Sequence, residues 1–217
     1  MVPHMLCQAC FDAVRRVQPP YCQRCCEPFE GDMAGEILCS NCADRSLAFD
    51  FAVCAYASFG PVRELIHQFK YEHQLHLRAV LAWLASHACD EPRLKEHADW
   101  TLVPVPLHPR RFREREFNQS AEIAAVLGKI TGWPVRNCLR RVRYTTAQAH
   151  LHRDARLKNL RDAFRLKRTF RGGDPIRGLR VLLVDDVFTT GATTHECAKV
   201  LKRAGAATVA AFAVARG

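Results

Sequence analysis

The stretch that decides the fold is Val181-Leu182-Leu183-Val184-Asp185-Asp186-Val187-Phe188-Thr189-Thr190-Gly191-Ala192-Thr193. An apolar run ends in two carboxylates and breaks into a small, hydroxyl-rich turn. A helical pattern follows from Cys197 to Ala204, and Gly205 is its predicted end. Backbone N–H groups at such a turn, with the positive end of the helix dipole, bind anions. The two Asp residues suit sugar hydroxyls or a water-bridged metal, so the stretch predicts a ligand that carries a phosphate and a polyol.

Other phosphate motifs fit this stretch poorly. No Lys follows Gly191, as a Walker loop requires, and no G-x-G-x-x-G follows a strand. The adjacent Asp185-Asp186 pair also lacks the D-x-D spacing of aspartyl-phosphate hydrolases. The stretch resembles the PRPP-binding signature of type I phosphoribosyltransferases, with Phe188 where an aliphatic residue is more usual. The plain alternative is a buried strand with a polar turn and a capped helix.

Length and composition predict one α/β domain of ordinary size with a small added module, since the chain has 217 residues and is 48% hydrophobic. No run of about 18 uncharged apolar residues is present, so we expect no membrane insertion. Residues 1–10 lack the pattern of a signal peptide. We therefore expect a cytoplasmic protein, in which eleven cysteines do not form a disulfide framework.

Positive charge is concentrated in one segment. The net charge is +10, and residues 136–171 contain twelve Arg or Lys and two Asp, while the rest of the chain is balanced. Such a segment indicates polyphosphate or nucleic acid nearby. The alternative is a solvated helix face.

The N-terminal cysteines form three C-x-x-C pairs: Cys7 and Cys10, Cys22 and Cys25, Cys39 and Cys42. Two neighbouring pairs at this spacing are typical of a zinc ribbon, in which four thiolates close a structural Zn²⁺ site. Six thiolates are too many for one zinc and too few for two. The simplest account is a fourth pair upstream of Met1, which leaves Cys22, Cys25, Cys39 and Cys42 as the zinc ligands and Cys7 and Cys10 as an orphan pair.

Two domains are predicted: a zinc-ribbon module over 1–48 and an α/β domain over 49–217. In the second, strands are expected at 49–59, 101–106, 181–184 and 208–214. Helices are expected after Pro61, over 75–88, after Asn118 or Ser120 as the cap, and after Thr193. An Arg-rich loop is expected at 107–117. Alternating strands and helices predict a mostly parallel sheet, whose ligands lie at the carboxyl ends of strands.

Six blocks together resemble the ComF family of phosphoribosyltransferase-like proteins. They are VRELIHQFKY (62–71), VPVPL (103–107), REREFNQS (113–120), TAQAH (146–150), RLKNLRDAF (156–164) and VDDVFTTGAT (184–193). The resemblance covers essentially the whole chain, and relatives often have four C-x-x-C pairs. It implies a type I phosphoribosyltransferase-like sheet flanked by helices, and a role in natural competence or DNA utilisation on imported single-stranded DNA. A competence helicase or translocase is a possible partner.

The resemblance also implies roles for single residues. Asp185 and Asp186 would hold the ribose hydroxyls of PRPP and act in catalysis. Its 5-phosphate would be bound by Thr189, Thr190, Gly191, Ala192 and Thr193. Its pyrophosphate, with Mg²⁺, would face Arg110, Arg111, Arg113 and Arg115, with Lys70 as a further contact unless that side chain is simply exposed. Residues 140–152 would be a mobile loop over the site.

The sequence supports two alternative functions. The first is a phosphoribosyltransferase whose acceptor the sequence does not identify. The alternative is a non-catalytic PRPP sensor or single-stranded DNA-binding module, which would use the zinc ribbon, the basic 136–171 segment and base stacking on Tyr144, Phe164 or Phe170. A purely structural zinc protein is a third reading. The chain departs from the family at Glu116, where many relatives have Gly, and a carboxylate there would weaken pyrophosphate binding unless it points away.

Overall fold

The computed structural model of the chain describes residues 6–31, 35, 37–144, 160–167 and 176–217. Its strands are β1 (Ala52–Ala57), β2 (Trp100–Pro104), β3 (Leu139–Arg141), β4 (Phe164–Leu166), β5 (Arg180–Phe188) and β6 (Thr208–Arg216). Four of them form a parallel sheet in the order β1-β6-β5-β2. The other two, β3 and β4, pair as a small antiparallel ribbon.

The helices of the described residues are α1 (Gln8–Asp12), α2 (Ser40–Ala43), α3 (Gly60–Tyr71), α4 (Arg78–Ser86), α5 (Pro92–Lys95), α6 (Pro109–Arg115), α7 (Gln119–Thr131) and α8 (Ala192–Arg203). Short 3-10 turns at Leu75–Leu77 and His87–Asp90 flank α4. None of the helices in this part of the chain has the length and apolar character to cross a membrane.

Both faces of the sheet are covered. On one face Leu182 and Val184 of β5 pack with α3, α4 and α7. On the other face Val181 and Leu183 pack with α8, with the β3–β4 ribbon and with the cysteine-rich segment. Side chains alternate between the faces of a strand, so a strand buried on both sides reads as a continuous apolar run. The predicted α/β class, a mostly parallel sheet flanked by helices, is confirmed.

The predicted site edge of the sheet is formed by β2 and β5. Trp100 pairs with Arg180 and Pro104 with Val184, so the two strands run in register toward the same edge. The predicted end of β5 at Val184 is wrong, because the strand continues to Phe188 beside β6. The Asp pair therefore lies within the strand, and the turn begins after it.

The Arg-rich segment 107–117, predicted as a loop, is mostly helix. Pro109 opens α6, a position where the missing N–H costs nothing. The Nδ1 atom of His108 caps the helix by accepting from the backbone N–H of Arg110 at 3.2 Å. Glu114 lies 3.3 Å from Arg110 and 3.1 Å from Arg111 on the preceding turn, which offsets the repulsion between the arginines.

The N-terminal segment packs directly on the α/β body. Residues 15–17 lie along the outer edge of β1, with Val17 N donating to Ala55 O at 3.0 Å and Ala57 N donating to Arg15 O at 2.8 Å. Farther along, Arg93 donates to Gln23 O at 2.7 Å. These contacts cross the predicted 48/49 boundary, and the division into two domains stays a prediction.

Candidate functional site

The two adjacent carboxylates have different partners. Asp185 Oδ1 accepts from the Ser120 hydroxyl and from the Asp186 backbone N–H, each at 3.0 Å. Asp186 is only 3% exposed, and its Oδ1 accepts from Val187 N at 2.9 Å. Its other oxygen forms an ion pair with Lys70 on α3. Strand β5 thus carries both carboxylates, and Lys70 on α3 and Ser120 on α7 hold them in position.

Burial shapes the ionisation of this cluster. Burial lowers the pKa of Lys70 to about 8, while the nearby Asp185 carboxylate opposes the shift. Burial also raises the pKa of Asp185. Lys70, the Ser120 hydrogen bond, Arg115 and Arg141 all act in the opposite direction. Carboxylates held beside cations in a region of low dielectric bind polar ligands strongly, because water competes less there.

The turn after β5 has the form expected of a phosphate loop. Residues 189–193 join the end of β5 to α8, and with Asp185 they line a small pocket. Gly191 adopts the left-handed region with φ 73° and stands at the N-cap of α8. Thr190 Oγ1 accepts from Ala192 N at 3.4 Å, which holds the turn. N–H groups at the start of a helix bind anions with help from the helix dipole.

Two rings form the floor of this loop. Phe188 and Phe49 meet edge to face, with ring centroids 5.7 Å apart. A Cβ atom at Gly191 would lie 2.9 Å from Phe188 Cζ, so only glycine fits without displacing the ring. The unusual Phe188 is therefore a buried packing residue of the loop.

The four predicted arginines divide into two groups along α6. Arg115 is partly buried. Burial lowers its pKa, and Tyr71 and the Asp185 carboxylate oppose this shift. Arg110 and Arg113 are exposed, while Arg111 is partly buried, and both Arg110 and Arg111 pair with Glu114. Lys70 thus pairs with Asp186, and Arg115 interacts electrostatically with Asp185. Arg111 acts on Arg115 and Arg141, so it belongs to the same group of cations.

Glu116 points away from the site. It ends α6 in the left-handed region with φ 64°, a conformation in which glycine avoids steric cost. Its side chain is 80% exposed and lies 3.7 Å from the His73 ring. The backbone requirement explains why Gly suits this position, and the carboxylate does not enter the Asp185 pocket.

The four predicted zinc ligands converge. The sulfur atoms of Cys22, Cys25, Cys39 and Cys42 are buried and all lie within 4.8 Å of one another, with Cys25 and Cys39 at 3.5 Å. Thiolates bound tetrahedrally at about 2.3 Å from zinc lie about 3.8 Å apart. The donor set and its spacing therefore fit a structural zinc ribbon. Because all four positions are taken by protein, the ion would organise the fold rather than activate a substrate.

The third pair stays apart from this cluster. Cys7 is exposed at the start of α1, Cys10 is half-buried, and neither joins the four sulfurs among the described residues. At the cluster itself, burial raises the pKa of the Cys22 thiol. Backbone N–H groups of Cys39, Cys25 and Arg24 outweigh burial and lower that pKa to about 7. Such N–H···S bonds favour the Cys22 thiolate, whereas burial raises the pKa of the Cys25 and Cys42 thiols.

Comparison with known proteins shows to which family the chain belongs. No protein-family model matches it. A solved structure described as the allosteric regulatory enzyme of purine biosynthesis shares 19% identity at a TM-score of 0.42, over 68% of this chain and 29% of that chain. Competence protein ComFC of Streptococcus pneumoniae is 26% identical over 90% of this chain and 87% of the relative. Competence protein F of Haemophilus influenzae is 29% identical, over 97% and 90%. DNA utilization protein YhgH of Salmonella typhi is 33% identical, over 97% and 90%. The chain belongs to the ComF family.

Four of the six ComF blocks meet at one edge of the sheet. Block 62–71 supplies Lys70, block 113–120 supplies Arg115 and Ser120, and block 184–193 supplies the Asp pair and the loop. Block 103–107 reaches them through Val105, whose N–H donates to Val184 O at 3.0 Å. Block 146–150 and the mobile-loop prediction from 145 onward lie outside the described residues, as does 156–159 of the remaining block.

Two residues near the Asp pair have contacts that the sequence did not predict. Ser120 was considered only as a helix cap, but Asn118 caps α7 by accepting from Ser120 N at 3.1 Å, which frees the serine hydroxyl for Asp185. Arg141, predicted as part of the mobile loop 140–152, lies on strand β3, and its charge acts to lower the pKa of Asp185, which burial raises. No local pattern identifies Arg141, because its position depends on how β3 packs against the sheet.

Arginines stack on exposed aromatic rings beside the ComF site. Arg110 lies 4.7 Å from the Tyr144 ring centroid and Arg115 lies 5.1 Å from that of Tyr71. Phe112, on the same helix α6, is also exposed. Of the other aromatics considered for base stacking, Phe164 is fully buried in the core, and Phe170 lies outside the described residues.

Proposed function

We propose that this ComF-family chain binds Mg-PRPP at the end of β5 and acts in the cytoplasm, in DNA uptake or DNA utilisation. One observation carries the proposal: Asp185 and Asp186 are fixed by Ser120 and Lys70 directly beside a glycine loop that opens a helix. A carboxylate pair and an anion-binding loop match a ribose with a 5-phosphate. The pathway follows from the relatives, whose names are competence protein and DNA utilization protein.

Each part of the site has a role in this proposal. Asp185 lines the pocket and contacts the ribose hydroxyls, while Asp186 lies behind it in its ion pair with Lys70. Residues 189–193 hold the 5-phosphate through backbone N–H groups. Arg115, close to Asp185, faces the pyrophosphate, and Arg110, Arg111 and Arg113 extend this positive surface outward.

Transfer breaks the bond between the ribose anomeric carbon and the pyrophosphate oxygen, whose electron pair leaves with pyrophosphate. A nucleophile on an acceptor, such as a base nitrogen, forms the new bond and releases its proton. Mg²⁺, when bound with PRPP, neutralises charge on the pyrophosphate. Arg115 and Arg141 lie near Asp185, where they stabilise the departing anion. Asp185 stabilises the positive charge that develops on the ribose.

A second candidate function is single-stranded DNA binding without turnover. The stacked Arg110–Tyr144 and Arg115–Tyr71 pairs and the exposed Phe112 favour it, since exposed rings stack bases and arginines hold phosphates. The zinc ribbon and the basic 136–171 segment would add contacts in this function, and a competence helicase or translocase would deliver the strand. Binding of labelled oligonucleotides that weakens steeply with salt tests the contact.

Calorimetric titration of Mg-PRPP tests the binding site. The wild type should bind, and the double variant Asp185→Asn/Asp186→Asn should not. The matched control is Asp99→Asn, because Asp99 pairs with Arg180 at the opposite end of β5. Circular dichroism must show that all three proteins are folded. Undiminished affinity in the double variant would refute the ribose assignment.

Pyrophosphate release then separates an enzyme from a sensor. If the chain is a transferase, Mg-PRPP should yield pyrophosphate only when an acceptor is added from a panel of bases and single-stranded DNA ends. Arg115→Met should slow release more than Arg113→Met, because Arg115 is partly buried and interacts electrostatically with Asp185, whereas Arg113 is exposed. PRPP binding with no release for any acceptor would favour the sensor.

A further inference from the structure

A buried arginine joins the cysteine cluster to the phosphate loop. Arg216, near the end of β6, is 8% exposed. Its Nε donates to Cys25 O at 3.2 Å, and its Nη2 forms an ion pair with Glu27. Its Nη1 donates to Phe188 O at 3.3 Å. One rigid guanidinium therefore binds the loop between two predicted zinc ligands and the last residue of β5.

The Phe188 ring lies between Arg216 and the loop of residues 189–193. The Arg216 guanidinium lies 5.6 Å from the centroid of the Phe188 ring. On its other side the ring lies close beneath Gly191, where an added Cβ would be 2.9 Å away. Gly217 N also donates to Phe188 O at 2.9 Å, so the backbone of this residue is held from two directions. Because packed interiors transmit small displacements, a shift of Arg216 moves the floor of the phosphate loop.

The electrostatic environment of Arg216 depends on whether the cysteine site holds a metal ion. Four thiolates around Zn²⁺ leave a local charge of −2, and the guanidinium stays protonated. Arg216 bonds to the backbone of Cys25 and to the Glu27 carboxylate just beyond it. Loss of the metal changes both the charge and the backbone position of this segment, since an emptied site no longer fixes its four ligands.

We propose that Arg216 couples metal occupancy of the Cys22, Cys25, Cys39 and Cys42 site to ligand binding at residues 189–193. The ligand is the phosphoribosyl compound of the proposed function, on which this inference rests. Coupling between two sites is reciprocal, so Mg-PRPP strengthens zinc binding by the same factor by which zinc strengthens PRPP binding. In this role Arg216 is a positioning residue that does not touch either ligand.

Zinc affinity, measured by competition with a chromophoric chelator, tests the coupling. In the wild type, saturating Mg-PRPP should tighten zinc binding by about five- to tenfold, within the usual range for coupled sites. In Arg216→Met the tightening should vanish, and in Arg216→Lys it should be partial. Arg180→Met is the matched control, since Arg180 lies at the far end of β5 and binds Asp99. Equal tightening in wild type and Arg216→Met would overturn the proposal, as would none in a wild type that binds PRPP.

Hydrogen exchange tests the connection without PRPP. In zinc-loaded protein, amides of 188–193 should exchange faster in Arg216→Met than in the wild type or Arg180→Met. If Arg216→Met does not fold, Glu27→Gln removes the ion pair, keeps Arg216 and should speed exchange to a smaller extent. Unchanged exchange in the folded variant would refute the connection. Calorimetry that shows no PRPP binding to the wild type would defeat the proposed function, while the exchange result would still decide the connection.

Discussion

Replacing Gly191 by alanine probes how tightly the loop of residues 189–193 packs on the Phe188 and Phe49 rings. The residue has φ 73°, and a Cβ there would lie 2.9 Å from Phe188 Cζ and 3.3 Å from two atoms of the Phe49 ring. Both rings belong to the buried core, so they cannot swing into solvent. Gly191→Ala therefore combines backbone strain with overpacking.

The expected loss can be assembled from these two effects. Left-handed backbone costs a residue with a Cβ about 1–2 kcal/mol. Alanine also reduces the conformational entropy of the unfolded chain, which stabilises the folded state by about 0.4–1 kcal/mol. Overpacking against the rings adds about 1–3 kcal/mol. The free energy of unfolding should fall by about 3 kcal/mol, and Mg-PRPP affinity should fall with it because the loop N–H groups are displaced.

Gly132 provides the matched control. It ends α7 with φ 77°, and an added Cβ would meet nothing within 4 Å. Gly132→Ala should therefore show the backbone cost alone, about 1 kcal/mol, and leave PRPP affinity unchanged. Urea unfolding followed by circular dichroism measures both variants. In a Phe188→Leu background, the cost of Gly191→Ala should approach that of Gly132→Ala. Equal losses for the two variants in the wild-type background would show that the rings do not support the loop.

Three further predictions use other parts of the molecule. Glu116→Gly should raise the free energy of unfolding by about 0.5–1 kcal/mol in urea melts, because glycine adopts φ 64° without strain, whereas Glu116→Ala should give no gain. Metal analysis should find one zinc per chain, retained in Cys7→Ser and lost in Cys39→Ser together with ordered structure of the ribbon; two zincs would contradict the four-ligand site. Since the pKa of Lys70 is lowered to about 8, its charge is lost as the pH rises through 8, and calorimetry should show Mg-PRPP affinity falling above that pH. The unfolded chain binds the Lys70 proton up to its ordinary pKa of 10.5, so this group's contribution to folding stability rises from about pH 8 to 10.5 while affinity falls. Lys70→Arg should flatten the affinity profile, and an unchanged slope would exclude Lys70 from the ligand site.

Sequence reasoning succeeded where a local pattern carries the information. The apolar run, the Asp pair and the following turn predicted β5, the loop and α8, and C-x-x-C spacing predicted the cysteine cluster. It failed at α6, where the arginines suggested a loop and the helix signals, Pro109 and the spacing of Glu114, were passed over. The partners of the Asp pair come from distant helices, and only the packing of the sheet brings Lys70 to Asp186.

The charges of the site explain how the fold tolerates two adjacent carboxylates, of which Asp186 is buried and Asp185 is half-buried. Like charges this close repel, and burial raises the pKa of Asp185. Lys70 binds Asp186, while Arg115 and Arg141 favour ionised Asp185, so three cations oppose the repulsion between the two carboxylates. Under the proposed function, these cations would attract the phosphates of a phosphorylated sugar, and Asp185 would bind its hydroxyls. The same residues thus explain how the fold tolerates the carboxylate pair and which class of ligand the proposed function assigns to it.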